Sequence, residues 1–135
     1  MTRSKMWTFA GVTLAGLAGV VLAQNSGVTR TVVTKADVSV PNREAVEARV
    51  EIAPGGVVGW HTHPGDEVSY VTDGELTLVV SGQPARKVLA GEGFVVPAGT
   101  VHSVRNEGNS AVKLVTVYIV EKGKPLVAPA PAPVQ

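Results

Sequence analysis

The chain has 135 residues, no cysteine and a formal net charge of +1, which is enough for one domain with an ordinary hydrophobic core and no disulfide staples. Lack of cysteine excludes disulfides, thiolate metal ligands, thiol nucleophiles and a lipoprotein anchor, so any chemistry falls to oxygen, nitrogen or a bound cofactor. Near-neutral charge without a basic run argues against nucleic acid as the main partner.

The chain opens "MTRSKMWTFAGVTLAGLAGVVLAQNSG", with Arg3 and Lys5 ahead of an apolar run from Met6 to Leu22. Val21 and Ala23 supply the small residues a signal peptidase requires, so residues 1–23 are expected to be a signal peptide and the mature chain to begin near Gln24. Gly11, Gly16 and Gly19 and the shortness of the run suit this better than a membrane anchor or a buried helix. Losing Arg3 and Lys5 would leave ten basic against eleven acidic residues. The expected destination is a bacterial periplasm or the outside of the cell, with membrane contact limited to export.

A folded body over residues 28–124 follows, read as short β-rich runs: "VTRTVVT", "AVEARVEIA", "VVGWHTH", "EVSYVTD", "ELTLVVSG", "RKVLAG", "GFVVPAG", "VHSVRN" and "AVKLVTVYIVE". Turn signals separate them at Pro54-Gly55-Gly56, Pro64-Gly65-Asp66, Asp73-Gly74, Ser81-Gly82, Gly91-Glu92-Gly93, Pro97-Ala98-Gly99 and Gly108-Asn109. Helical periodicity is missing. The prediction is an all-β sandwich or barrel, jelly rolls included. The valine-rich strands predict that some are covered on both faces, by the opposing sheet or by a second subunit. The last residues, 125–135, are rich in Pro and Ala and predict a disordered tail, although Leu126 and Val127 are able to pack.

All three histidines of the chain fall in two turn-bounded stretches. On a strand, His61 and His63 leave the same face about 7 Å apart at the backbone. The tight turn of Pro64-Gly65-Asp66 then brings the carboxylate of Glu67 alongside from the next strand, and His102 comes from a later one. Three neutral imidazoles and one carboxylate suit a divalent first-row metal: manganese, iron, cobalt, nickel, copper or zinc. One or two positions remain for water, substrate or dioxygen. Asp66 falls in the turn and is expected to be solvated. Alternation puts Ser69, Val71 and Val104 on the site's faces and points Trp60, Tyr70 and Arg105 away. Asn106 is expected to close a turn.

Residues 55–74 match G-x-x-x-x-x-H-x-H-x-x-x-E-x-x-x-x-x-x-G through Gly55, His61, His63, Glu67 and Gly74, and residues 91–106 match G-x-x-x-x-x-P-x-G-x-x-H-x-x-x-N through Gly91, Pro97, Gly99, His102 and Asn106. With both complete, in order and closely spaced, the chain resembles a small single-domain member of the cupin superfamily. The resemblance implies a jelly-roll β-barrel, a metal held by His61, His63, Glu67 and His102, and frequently a homodimer. Exposed Trp60 and Tyr70 would also favour pairing.

The superfamily includes dioxygenases, isomerases, decarboxylases, lyases and binding proteins without turnover, so the fold does not choose the reaction. The pocket reads as mostly apolar, with no arginine or lysine evident beside the metal, so an oxalate or sugar phosphate dianion lacks a charge partner. This favours a small apolar or aromatic substrate, enol-bearing and flavonol-like, reacting with dioxygen, with Glu67 as catalytic base. The alternatives are a metal-dependent binding or sensing protein, or an isomerase, lyase or decarboxylase. Tyr70 and Tyr118 read as packing.

Overall fold

The computed structural model describes residues 25–134. The expected signal peptide, residues 1–23, lies outside the described residues. Nine strands and no helix make up the described chain: β1 (Ser26–Asp37), β2 (Arg43–Thr62), β3 (Gly65–Asp73), β4 (Glu75–Val80), β5 (Arg86–Leu89), β6 (Gly93–Val96), β7 (His102–Arg105), β8 (Val112–Glu121) and β9 (Ala128–Pro129). All pairings are antiparallel. The order β5-β4-β7-β2-β8-β3-β6, with β1 and β9 added to β2, curls into a nearly closed barrel of the jelly-roll type.

The long strand β2 is the backbone of the design. Two of the predicted runs, "AVEARVEIA" and "VVGWHTH", are one strand, and the predicted turn at residues 54–56 is a bend within it. Gly55 has a φ of 73°, a left-handed conformation open to glycine at little cost. Before the bend β2 lies between β1 and β8, with Val50 opposite both Arg30 and Leu114. After it β2 lies between β7 and β9, with His61 opposite both His102 and Pro129. A positive φ here re-aims the strand without reversing it, and the same strand serves both walls of the barrel.

Alternation decides what fills the interior. Along β3, Glu67, Ser69 and Val71 are buried while Asp66, Val68, Tyr70 and Thr72 are exposed. The main core gathers Val50, Ile52, Val58, Val71, Leu76, Leu78 and their neighbours toward one end of the barrel. A smaller cluster of Val46, Ala48, Tyr118 and Val120 occupies the other, with Leu126 packed against it. The turn into β3 is held by close approach: a Cβ on Gly65 would collide with the backbone of Ile119 and Val120 on β8.

The Pro/Ala segment is described as far as residue 134. Through residue 134 it returns along β2, where Ala128 pairs with Thr62, the Ala130 amide donates to the Trp60 carbonyl (2.9 Å), and Ala130 is buried. Alternating alanines leave amides free to pair between prolines, and Leu126 supplies the apolar anchor. Trp60, expected to face outward, is half-buried, and Pro133 and Val134 share a groove with it. Tyr70 is exposed as expected.

Candidate metal centre

Each predicted ligand comes from a different place on this frame. His61 is the penultimate residue of β2 and His63 lies one residue past its end, Glu67 is on β3, and His102 opens β7 directly opposite His61. All four are buried, and one ligand atom from each lies within 4.8 Å of the others.

The hydrogen bonds determine which atoms face the centre. Nδ1 of His61 sits 2.7 Å from the Gly59 carbonyl, Nδ1 of His63 2.7 Å from the Leu126 carbonyl, and Nδ1 of His102 2.9 Å from the Thr100 carbonyl. A carbonyl accepts only, so each Nδ1 carries the proton and donates it; in the neutral rings every Nε2 is then a bare lone pair. These lone pairs converge: Nε2 of His61 and His63 are 3.2 Å apart, and Oε2 of Glu67 is 2.9 Å from Nε2 of His63 and 3.1 Å from Nε2 of His102. Four acceptors aimed at one point repel unless a cation lies among them. Ligands at right angles on metal bonds of about 2.1 Å stand about 3 Å apart. The donor set therefore fits a divalent metal.

Glu67 is oriented from behind. Ser69 Oγ donates to Oε1 at 2.7 Å, and Thr116 Oγ1, 2.8 Å from Ser69 Oγ, completes a buried relay that leaves Oε2 for the centre. Burial alone would raise the carboxyl's pKa. The facing imidazoles of His102 and His63 and the Ser69 hydroxyl outweigh it and hold Glu67 well below the usual carboxylate range. Burial and then the neighbouring His102 push His61 down to about 4. Tyr118, its ring 4.7 Å from that of His63, is raised to about 12 by burial and then by the Glu67 charge, so its phenol stays neutral.

Both depressed groups give the same sign. Between pH 6.5 and 4 the unfolded chain takes up a proton at His61 that the folded chain refuses, and below the ordinary carboxylate range Glu67 adds to this. Metal-free protein is therefore expected to lose stability as pH falls from 7 to 4.5, by on the order of 2 kcal/mol from His61. Thermal melts in chelator across that range check the direction; a flat or rising melting temperature would contradict it.

The Leu126 carbonyl ties the C-terminal segment to the site. Truncation after Lys124 removes the acceptor that fixes the His63 tautomer, and loss of such an outer contact costs about 10–100-fold in metal affinity. Competition with a chelator of known affinity measures this. Asp66 is exposed as expected, and its Oδ1 accepts from the Ala98 amide at 3.0 Å, bracing the turn before β7. Asn106 is buried and closes its turn, donating through Nδ2 to the carbonyls of Ile52 and Ser110 and accepting from the Gly108 amide.

Beside the cage lies a cavity of about 20 Å³, walled by Val50, Ile52, Val58, Val104 and Leu114, with His61, Glu67, His102, Thr116 and Tyr118. The apolar reading of the pocket holds for these walls. It fails at one position: Arg30 of β1 also lines the cavity, its guanidinium carbon 5.9 Å from the Tyr118 ring centroid. The strand "VTRTVVT" alternates Val28, Arg30 and Val32 on one face, and that was the available signal; which face turns inward is decided by the pairing of Arg30 with Val50.

Comparison with known proteins agrees with the fold. A family model described as Cupin domain matches residues 48–118. A germin-like protein of Arabidopsis thaliana, subfamily 2 member 2, is 37% identical over 76 residues, covering 53% of this chain and 35% of that protein. Nectarin-1 of Nicotiana langsdorffii x Nicotiana sanderae is 34% identical over 76 residues, covering 53% and 33%. The chain thus spans about a third of the length of these relatives. Among solved structures, a Klebsiella pneumoniae protein with a double-stranded beta-helix domain superposes with a TM-score of 0.66 at 24% identity, covering 84% of this chain and 92% of that one, a likeness of fold. Oxalate oxidase in complex with the substrate analogue glycolate gives a TM-score of 0.56 at 32% identity, covering 62% and 45%. A family model matched over more than half of the 135 residues, on a barrel that assembles both histidine stretches into one cage, places the chain in the cupin family.

Proposed function

We propose that this chain is an exported, mononuclear metal-dependent oxidoreductase of the dioxygenase type, acting on a small enol-bearing molecule. The observation that carries the reading is the convergence of three Nε2 lone pairs and Glu67 Oε2 beside a cavity with apolar walls. A divalent first-row metal bound there would supply Lewis acidity and one-electron chemistry. The chain's own groups prepare the rest. Val50, Ile52, Val58, Val104 and Leu114 exclude bulk water, and the three Nδ1 contacts fix the ring orientations. Glu67 is ionised at neutral pH and is positioned to take a substrate proton at Oε2 while Ser69 holds Oε1. The cavity of about 20 Å³ is too small for a flavonol skeleton, so a compact substrate is proposed. Similarity to an oxidase supports oxygen chemistry in particular.

Elemental analysis of the protein from its native compartment, followed by oxygen-consumption assays against compact enols and hydroxy acids with flavonols for comparison, tests this. Metal-dependent oxygen uptake with at least one class is expected. Fully metallated protein that consumes no oxygen with any of them would overturn the dioxygenase reading and leave the binding or non-oxidative alternatives.

The functional unit is proposed to be a homodimer. Val68, Tyr70 and Val95 are exposed side by side on the outer face of β3 and β6, where Val115 and Val117 of β8 extend the apolar surface. Light scattering is expected to give twice the chain mass, and Val95→Arg to shift it toward the monomer. A strictly monomeric wild type at high micromolar concentration would contradict the assignment. Export is tested by the N-terminal sequence of native protein, expected to begin near Gln24.

A further inference from the structure

Arg30 lines the cavity beside Tyr118 but is not one of the four residues of the cage. Its side chain is half-buried, and its Nε is shielded from solvent yet has no hydrogen-bond partner among the described residues. Leaving such a donor unmet is costly. Nothing on β1 requires a charge at this point: the neighbouring residues Thr29 and Thr31 face outward, and Lys35 on the same strand already has a partner in Glu44. The guanidinium is instead held against the face of Tyr118, within cation–π range at 5.9 Å, and lines the same cavity as His61, Glu67 and His102. A tyrosine is uncharged at neutral pH and gives no counter-charge. Glu67 is the anion lining this cavity, and its two oxygens are engaged by the imidazoles and Ser69.

A planar, permanently charged fork with an unmet Nε–H donor, lining the same small cavity as the cage residues, is the chemistry of carboxylate recognition. We propose that Arg30 is the specificity-determining residue of this pocket and that it selects small carboxylate ligands over neutral ones, one end of the ligand meeting the guanidinium and the other lying against the cage. The inference rests on the metal-dependent reading above and narrows its substrate to a small organic acid. It replaces the expectation, drawn from the sequence, that an anionic substrate lacks a charge partner here.

Acetate and acetamide share a shape and differ in charge, so they serve as probes. Zinc-loaded full-length protein is titrated with each by NMR, in the wild type, Arg30→Gln and Arg30→Lys, with metal content measured on every sample. The expected result is at least tenfold tighter binding of acetate than acetamide by the wild type. Arg30→Gln should lose about 10–100-fold for acetate, little for acetamide, and no metal, while Arg30→Lys recovers part of the loss. Equal affinity for the two probes in the wild type, acetate binding unchanged within twofold in Arg30→Gln, or parallel loss of metal in that variant would each overturn the assignment. The two readings fail separately: a wild type that takes up no metal refutes the metal-dependent function, whereas a metallated wild type indifferent to ligand charge refutes the role of Arg30 alone.

Discussion

His102→Ala is expected to empty the cage. The imidazole is wholly buried, lies tilted with its centroid 4.1 Å from that of the His61 ring, and meets Glu67 Oε2 at 3.1 Å. Alanine removes a ligand from β7 that no neighbouring side chain replaces, since Ser103 is committed to the Val58 carbonyl. Loss of an outer contact to a ligand already costs about 10–100-fold in metal affinity, so loss of the ligand itself is expected to exceed about 100-fold. At metal concentrations about a hundred times the wild-type dissociation constant, bound metal contributes about 2.7 kcal/mol of folding stability. For a domain of this size that is about 10 °C in melting temperature, and the variant should no longer show it. Melting curves with metal and with chelator, read beside metal content, give the comparison. A His102→Ala protein with full stoichiometric metal and an unchanged chelator effect would contradict the assignment.

Glu67→Gln separates holding the metal from using it. The amide keeps an oxygen able to coordinate and still accepts from Ser69, but it carries no charge and accepts no proton. Metal content is expected to fall modestly while turnover falls about 10²–10⁴-fold, the range associated with losing a positioned acid or base. Steady-state kinetics normalised to bound metal distinguishes the two effects. Equal losses in metal and turnover would reduce Glu67 to a ligand without a role in proton transfer. Asp66→Ala provides the neighbouring control: its carboxylate caps the Ala98 amide at the surface, and its loss should leave both measurements nearly unchanged.

The candidate cluster of His61, His63, Glu67 and His102 was legible in the sequence because its geometry is largely local. A period of two places His61 and His63 on one face, and a turn built on Gly65 returns Glu67 beside them within four residues. His102 is more distant in the chain, but its own turn, Pro97-Ala98-Gly99, marks the start of the strand that carries it, and Gly99 donates its amide to the His63 carbonyl. The all-β class was legible for the same reason.

What escaped depends on long-range register. Arg30 becomes a pocket residue because β1 pairs with β2 such that Arg30 faces Val50, and Tyr118 lies opposite Glu67 through the pairing of β3 with β8. Neither register is encoded near those residues. The bend at Gly55 was read as an end of strand because glycine and proline mark many reversals; here the strand changes partners and continues. In the C-terminal segment Leu126 and the alternating alanines supply an anchor and free amides among the prolines, and the Leu126 carbonyl that holds His63 is reached only through long-range packing.

X-ray absorption at the edge of the native metal tests the central claim most directly. The account predicts a single metal per chain with three imidazole nitrogens, one carboxylate oxygen and one or two further light atoms at about 2.0–2.2 Å. A metal bound by fewer than three imidazoles in the folded native protein would contradict the cage of His61, His63, Glu67 and His102.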